Sequence, residues 1–73
     1  MLELTLRGEF IELDKLLKAT GLVESGGRAR QLITAGEIKV DGKVELRKTA
    51  KMRAGQVVEF GGQQVRVLPA GGG

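Results

Sequence analysis

Glycine cuts this chain into short pieces. Gly8, Gly21, Gly36, Gly42, Gly55 and the pair Gly61-Gly62 interrupt a chain of 73 residues. No segment between them can hold more than about four turns of helix. The fold must therefore be assembled from small elements joined by tight reversals. At this length it is one domain, 1–73, and it buries only a little over ~60% of the surface its unfolded chain exposes. No disulfide can staple it, because it has no cysteine.

The apolar pattern within each piece sets its type. Leu2, Leu4 and Leu6 alternate with Glu3, Thr5 and Arg7, the period of a half-buried strand, and Gly8 closes it. Leu13, Leu16, Leu17 and Thr20 fall on one helical face, which predicts a first helix over roughly 12–20 with Gly21 as the left-handed residue after it. Ser25 is a good N-cap for a second helix that runs to about Ala35 and stops at Gly36. Its buried stripe is Ala29, Leu32 and Ile33. Gly27, Arg30 and Thr34 share one flank, and Arg28 lies on the other. Two such helices with a short link should pack through their stripes.

The remainder reads as strands. At Asp41-Gly42 a two-residue turn would oppose Val40 with Lys43 and Lys39 with Val44, mixing the faces. A three-residue loop opposes Ile38 with Val44, keeps the apolar pair together, and is the preferred register. It sets Lys39 opposite Lys43, a like-charge pair that costs roughly 0.2–1 kcal/mol and that an anion would relieve. At Gly61-Gly62 the turn opposes Val58 with Val65 and Phe60 with Gln63, so Val58, Phe60, Val65 and Val67 share one side. Residues 69–73, PAGGG, should form a mobile tail.

Composition narrows the chemistry. With neither Cys nor His, thiol catalysis, imidazole acid–base catalysis and the usual transition-metal sites are excluded. The acids are scattered, so no enzyme, metal or cofactor is expected. A cysteine-free chain without a signal-like segment or long apolar run is expected to be cytoplasmic, with no membrane partner and no small-molecule substrate.

Charge is distributed unevenly. Eight Lys/Arg fall between Arg28 and Arg53 against three acids, whereas the rest of the chain carries four bases and six acids. Asymmetry of this sign points to a polyanion-binding face. Two constellations could supply it. Ser25, Gly26, Gly27, Arg28 and Arg30 open the second helix, where unpartnered N–H groups and the absence of side chains suit a phosphate; the alternative is a capped helix with solvated arginines. Lys39 and Lys43 on the hairpin, then Arg47, Lys48, Lys51 and Arg53, supply a basic run; the alternative is a solubilising loop. Phe60 is better explained as core, so base stacking has little support. Recognition by charge and shape of a folded RNA remains.

The order of residues across 12–60 resembles the RNA-binding domain named after small-subunit ribosomal protein S-four. Leu13, Asp14 and Leu17, then Gly21 and Leu22, match its first helix. Ser25, Ala29, Arg30, Leu32 and Ile33 match its second, and Gly36, Ile38, Val40, Asp41 and Gly42 its hairpin. Arg53-Ala54-Gly55-Gln56-Val57-Val58 resembles its closing element. Two positions depart: Glu12 and Gly26 stand where the family usually has arginine. The Ser-Gly-Gly-x-Ala-Arg variant looks like the small stand-alone bacterial members.

The resemblance implies an α+β fold, with two short packed helices (the alpha-L RNA-binding motif) on a small, mostly antiparallel sheet. It also implies a non-catalytic protein that binds structured RNA, with ribosomal RNA as the expected partner. The expected contacts are Arg30 and Thr34 on the second helix with Lys39 and Lys43 on the hairpin. Lys15, Lys18, Arg28, Arg47, Lys48 and Lys51 would widen the footprint, and Ser25, Gly26 and Gly27 would present backbone donors. A second reading is a sulfur carrier that uses the terminal Gly72-Gly73. It calls for two strands before the first helix, where this chain shows one. A third is an adapter for an acidic protein.

Overall fold

The structure, a computed structural model, describes residues 1–72. In chain order its elements are β1 (Leu2–Thr5), β2 (Ile11–Glu12), α1 (Leu13–Ala19), α2 (Gly26–Thr34), β3 (Lys39–Val40), β4 (Lys43–Val44), β5 (Lys51–Met52), β6 (Val57–Phe60) and β7 (Gln63–Leu68). A 3-10 turn over Ala70–Gly72 follows. Gly73, the end of the expected mobile tail and of the diglycine, lies outside the described residues.

Five strands form one sheet in the order β1-β7-β6-β3-β4, and β2 and β5 form a separate two-stranded ribbon. All pairings are antiparallel except β1 with β7, which is parallel. The helices pack on each other and on one face of the sheet. Leu13, Leu16, Leu17 and Ile33 meet Ile38, Val58, Val65 and Val67 in the core, and all of these are fully buried. Phe60 packs against the edge of that core, as its pattern predicts. Among the described residues no helix is long and apolar enough to cross a membrane.

Local chemistry sets the helix ends. Ser25 is extended, and its Oγ accepts from the Arg28 amide at 3.1 Å, which caps α2. At the other end Gly36 takes φ +80°, and its amide donates to the Ile33 carbonyl. α1 has no side-chain cap from Glu12, the residue before it. Instead the Leu13 and Asp14 amides donate to the carbonyls of Ala50 and Lys48, at 2.9 and 3.1 Å. The chain between β4 and β5 is thereby sewn to the start of the first helix.

The Gly61-Gly62 hairpin has the expected register, with Val58 opposite Val65 and Phe60 opposite Gln63. The β3–β4 hairpin does not. It closes with a two-residue turn that pairs Lys39 with Val44 and Val40 with Lys43. Both turn residues have positive φ, Asp41 at 51° and Gly42 at 83°, as a type I′ turn requires. Asp41 is held there from both sides. Its amide donates to the Val57 carbonyl at 2.8 Å, and its Oδ1 accepts from the Val57 amide at 3.0 Å.

The apolar-pairing argument failed because β4 is a two-residue edge strand whose Val44 is 52% exposed. With so little to bury, turn chemistry decides the register. Lys39 and Lys43 are therefore not opposite each other, and the like-charge argument for an anion between them falls. The single strand expected before the helices is also corrected, because β2 lies between β1 and α1. It pairs with β5 rather than with β1.

Candidate nucleic-acid interface

Asp14 ties the start of α1 to Arg30 on α2. It is 5% exposed at the start of α1. Its Oδ1 accepts from the Lys15 amide at 2.8 Å, and its Oδ2 lies 3.4 Å from Arg30 Nη1. A buried carboxylate needs such partners. Arg30 is half-exposed, so its guanidinium is oriented by Asp14 yet keeps open donors. Lys15 leans on Glu12 at 2.9 Å, and the hydrogen bond it donates to that carboxylate raises the ammonium's pKa above its ordinary value. Lys18 lies one turn further along the same exposed side of α1.

The sewn segment completes this quarter of the molecule. The Lys48 carbonyl sits on the Asp14 amide, and Lys51 pairs across the ribbon with Glu12. The backbone at Lys48 and Lys51 thus lies beside the start of α1, which carries Lys15 and, through Asp14, holds Arg30. Lys48 and Lys51 have no ion-pair partner among the described residues.

The start of α2 borders this quarter. Gly26 and Gly27 have ordinary helical conformations rather than positive φ. A Cβ at Gly26 would meet Arg30 Nη1 at 3.5 Å, an ordinary contact, and one at Gly27 would meet open space. Neither glycine is demanded by the backbone or by packing. What they do is leave the helix start bare, as the phosphate reading of the sequence requires.

Other expected contacts lie elsewhere or are already engaged. Lys39 and Lys43 occupy successive pairs of the β3–β4 ladder, so they point to opposite faces of the hairpin. Arg28 borders a shallow cleft with Leu22, Glu24, Leu32 and Phe60, on the flank away from Arg30. Arg47 is committed to Glu45 by side-chain bonds of 3.2 Å. Those bonds, with the Arg47 amide, hold the Glu45 carboxyl below its ordinary range. The Thr34 hydroxyl donates back to the carbonyls of Arg30 and Gln31, leaving its oxygen only an accepting role.

Two features of this region escaped the sequence reading. One is the Asp14–Arg30 pair, whose residues are 16 apart in sequence. The other is the surroundings of Phe10, which is 39% exposed with Lys51 Nζ 4.9 Å and Arg53 Cζ 5.6 Å from its ring centroid. Phe10 has no periodic signal that would mark it.

Known proteins share this fold. Residues 4–68 match the S4 domain family. The protein YbcJ of Escherichia coli (strain K12), provisionally named an RNA-binding protein, is 50% identical over 58 residues, which cover 80% of this chain and 83% of that protein. The uncharacterized YbcJ of Shigella flexneri matches to the same extent. The solution structure of the E. coli protein, described as revealing an alpha-L motif involved in RNA binding, superposes with a TM-score of 0.72. It is 45% identical, over 93% of this chain and 87% of that one. The helix pair, the hairpin and the matched sequence agree along nearly the whole length, and the chain belongs to the S4 domain family.

Proposed function

We propose that this protein binds structured RNA, with ribosomal RNA as its target class, as a non-catalytic cytoplasmic module. The observation that carries this reading is the meeting of the segments that carry Lys15, Arg30, Lys48 and Lys51 at the buried Asp14, beside the bare start of α2. Guanidinium and ammonium groups on a rigid frame suit phosphates, and backbone donors at a helix start suit them equally. The described relationship of the E. coli alpha-L motif to RNA binding supports the same ligand. Lys18, Arg28, Lys39, Lys43 and Arg47 add longer-range attraction, and Ser25 fixes the helix start. With neither Cys nor His in the chain, the surface has little to offer catalysis.

The test is an anisotropy titration of ribosomal RNA fragments at several salt concentrations. Affinity should fall steeply with salt, by roughly 0.7–0.9 in log–log slope per phosphate neutralised. Arg30→Gln, which keeps a donor for Asp14, with Lys39→Glu should weaken binding while the circular dichroism of the fold is unchanged. Salt-independent binding, or an unaffected double variant, would remove this surface from consideration. The sulfur-carrier reading gains nothing from the fold, because β1 and β2 do not form the paired entry that reading calls for.

A further inference from the structure

Phe10 is one of two aromatic residues in the chain, and the other, Phe60, packs on the core. Phe10 instead stands on the surface, at the outer end of the β2–β5 ribbon. Ile11 pairs with Met52, so Phe10 falls opposite Arg53, and of the two cations near its ring Lys51 belongs to β5 and Arg53 directly follows it. Lys51 and Arg53 are exposed and have no carboxylate partner among the described residues. A surface cation–π contact is weak, and it leaves both charges available to a stronger anion.

A groove adjoins the ring. Leu4, Leu6, Ile11 and Ala19 contribute its apolar walls, with Arg7 beside Phe10. An exposed aromatic, an apolar groove and three cations are the chemistry of one ligand class. A nucleobase has a π-face for the ring and an apolar body for the groove, and its phosphate carries the charge that the cations lack. The place also adjoins the surface described above, since Lys51 belongs to both.

We propose that Phe10, Lys51 and Arg53 form a stacking site for one unpaired nucleotide next to the structured RNA held at Arg30. The base stacks on Phe10, and Lys51 and Arg53 take its phosphate. The proposal rests on the RNA-binding reading and adds to it: the target carries an unpaired nucleotide beside a paired region.

Two variants test it on the intact protein, with a stem-loop RNA and a blunt duplex of the same stem as probes. Phe10→Leu keeps an apolar side chain but removes the π-face. It should weaken stem-loop binding about fivefold or more and leave duplex binding unchanged. Phe10→Trp places an indole in a chain that has neither Trp nor Tyr. Its emission should be quenched by the stem-loop and not by the duplex. If Phe10→Leu binds the stem-loop as the parent does, or the Phe10→Trp emission is unmoved, the stacking site is overturned while RNA binding stands. If the parent binds neither probe, RNA binding itself fails and the stacking site fails with it.

Discussion

Two basic regions of this protein differ in how their charges are held. Around the start of α1, the segments that carry Lys15, Arg30, Lys48 and Lys51 meet because a buried aspartate and two backbone bonds draw them together. On the β3–β4 hairpin, Lys39 and Lys43 lie only four residues apart in sequence yet point to opposite faces. The sequence reading placed Lys39 and Lys43 together with Arg30 and Thr34 in one expected contact set. Contact between segments distant in sequence is what sets the first region apart. A count of bases says how much charge is present, and only the register and the long-range bonds say whether it forms a face.

The sharpest way to break this comparison is to reverse charge in each region separately. Lys48→Glu with Lys51→Glu, neither of which has an ion-pair partner among the described residues, should cost RNA affinity about a hundredfold, taking each reversal at ~1–2 kcal/mol for groups near a phosphate in a mostly aqueous setting. Lys39→Glu with Lys43→Glu should cost distinctly less, because only one of the two can face a ligand at a time. Parallel titrations at one salt concentration decide it. Equal losses would mean that the hairpin belongs to the interface as fully as the first region does.

The second prediction concerns what fixes the hairpin. Asp41 combines positive φ with a side-chain bond to the Val57 amide. Asp41→Ala should destabilise the fold by about 2 kcal/mol, from left-handed strain and the lost bond together. Asp41→Asn should cost much less, since asparagine tolerates that conformation and keeps an acceptor. Chemical denaturation measures both. A small effect of Asp41→Ala would mean that the turn is set by something other than its own two residues.

Much of this was legible in the sequence. The helix starts and stops at Ser25, Gly21 and Gly36 were readable because capping is local chemistry. The Gly61-Gly62 hairpin was readable because its strands, β6 and β7, are long enough for valine alternation to fix the register. The β2–β5 ribbon was not, since two residues per strand carry no period. The parallel pairing of β1 with β7 joins opposite ends of the chain, and nothing local encodes it. The same divide runs through the site. The basic residues were visible as residue types, but Asp14 and Phe10 gain their roles only from partners brought from distant segments.

A third prediction separates ligand binding from stability at the start of α2. Gly26→Ala and Gly27→Ala each replace a helical glycine that packing does not require. Each should stabilise the protein, by up to ~1 kcal/mol. If the bare helix start admits a phosphate, each should also weaken RNA binding, by a smaller factor than the charge reversals. A gain in melting temperature with unchanged affinity would assign the glycines no part in the interface.

The smallest effect is expected at Glu45, in the segment between the two basic regions. Bonds from the Arg47 side chain, and then from its amide, hold this carboxyl below its ordinary value of 4.5. A carboxyl depressed by folding contributes stability that is fully present above its unfolded pKa and is lost as pH falls through the folded one. The contribution should therefore be constant from neutrality down to the ordinary glutamate range and fade only below it. The pair is at the surface, so the change in melting temperature should be slight. The Glu45 carboxyl carbon, followed by NMR, should titrate below 4.5, and Glu45→Gln should free Arg47 and tighten RNA binding a few-fold at most. That gain is informative because Arg47 follows the hairpin and precedes Lys48. If releasing it strengthens binding, the interface extends from the sewn segment toward β4; if affinity is unmoved, the interface ends at Lys48 and the hairpin lies beyond it.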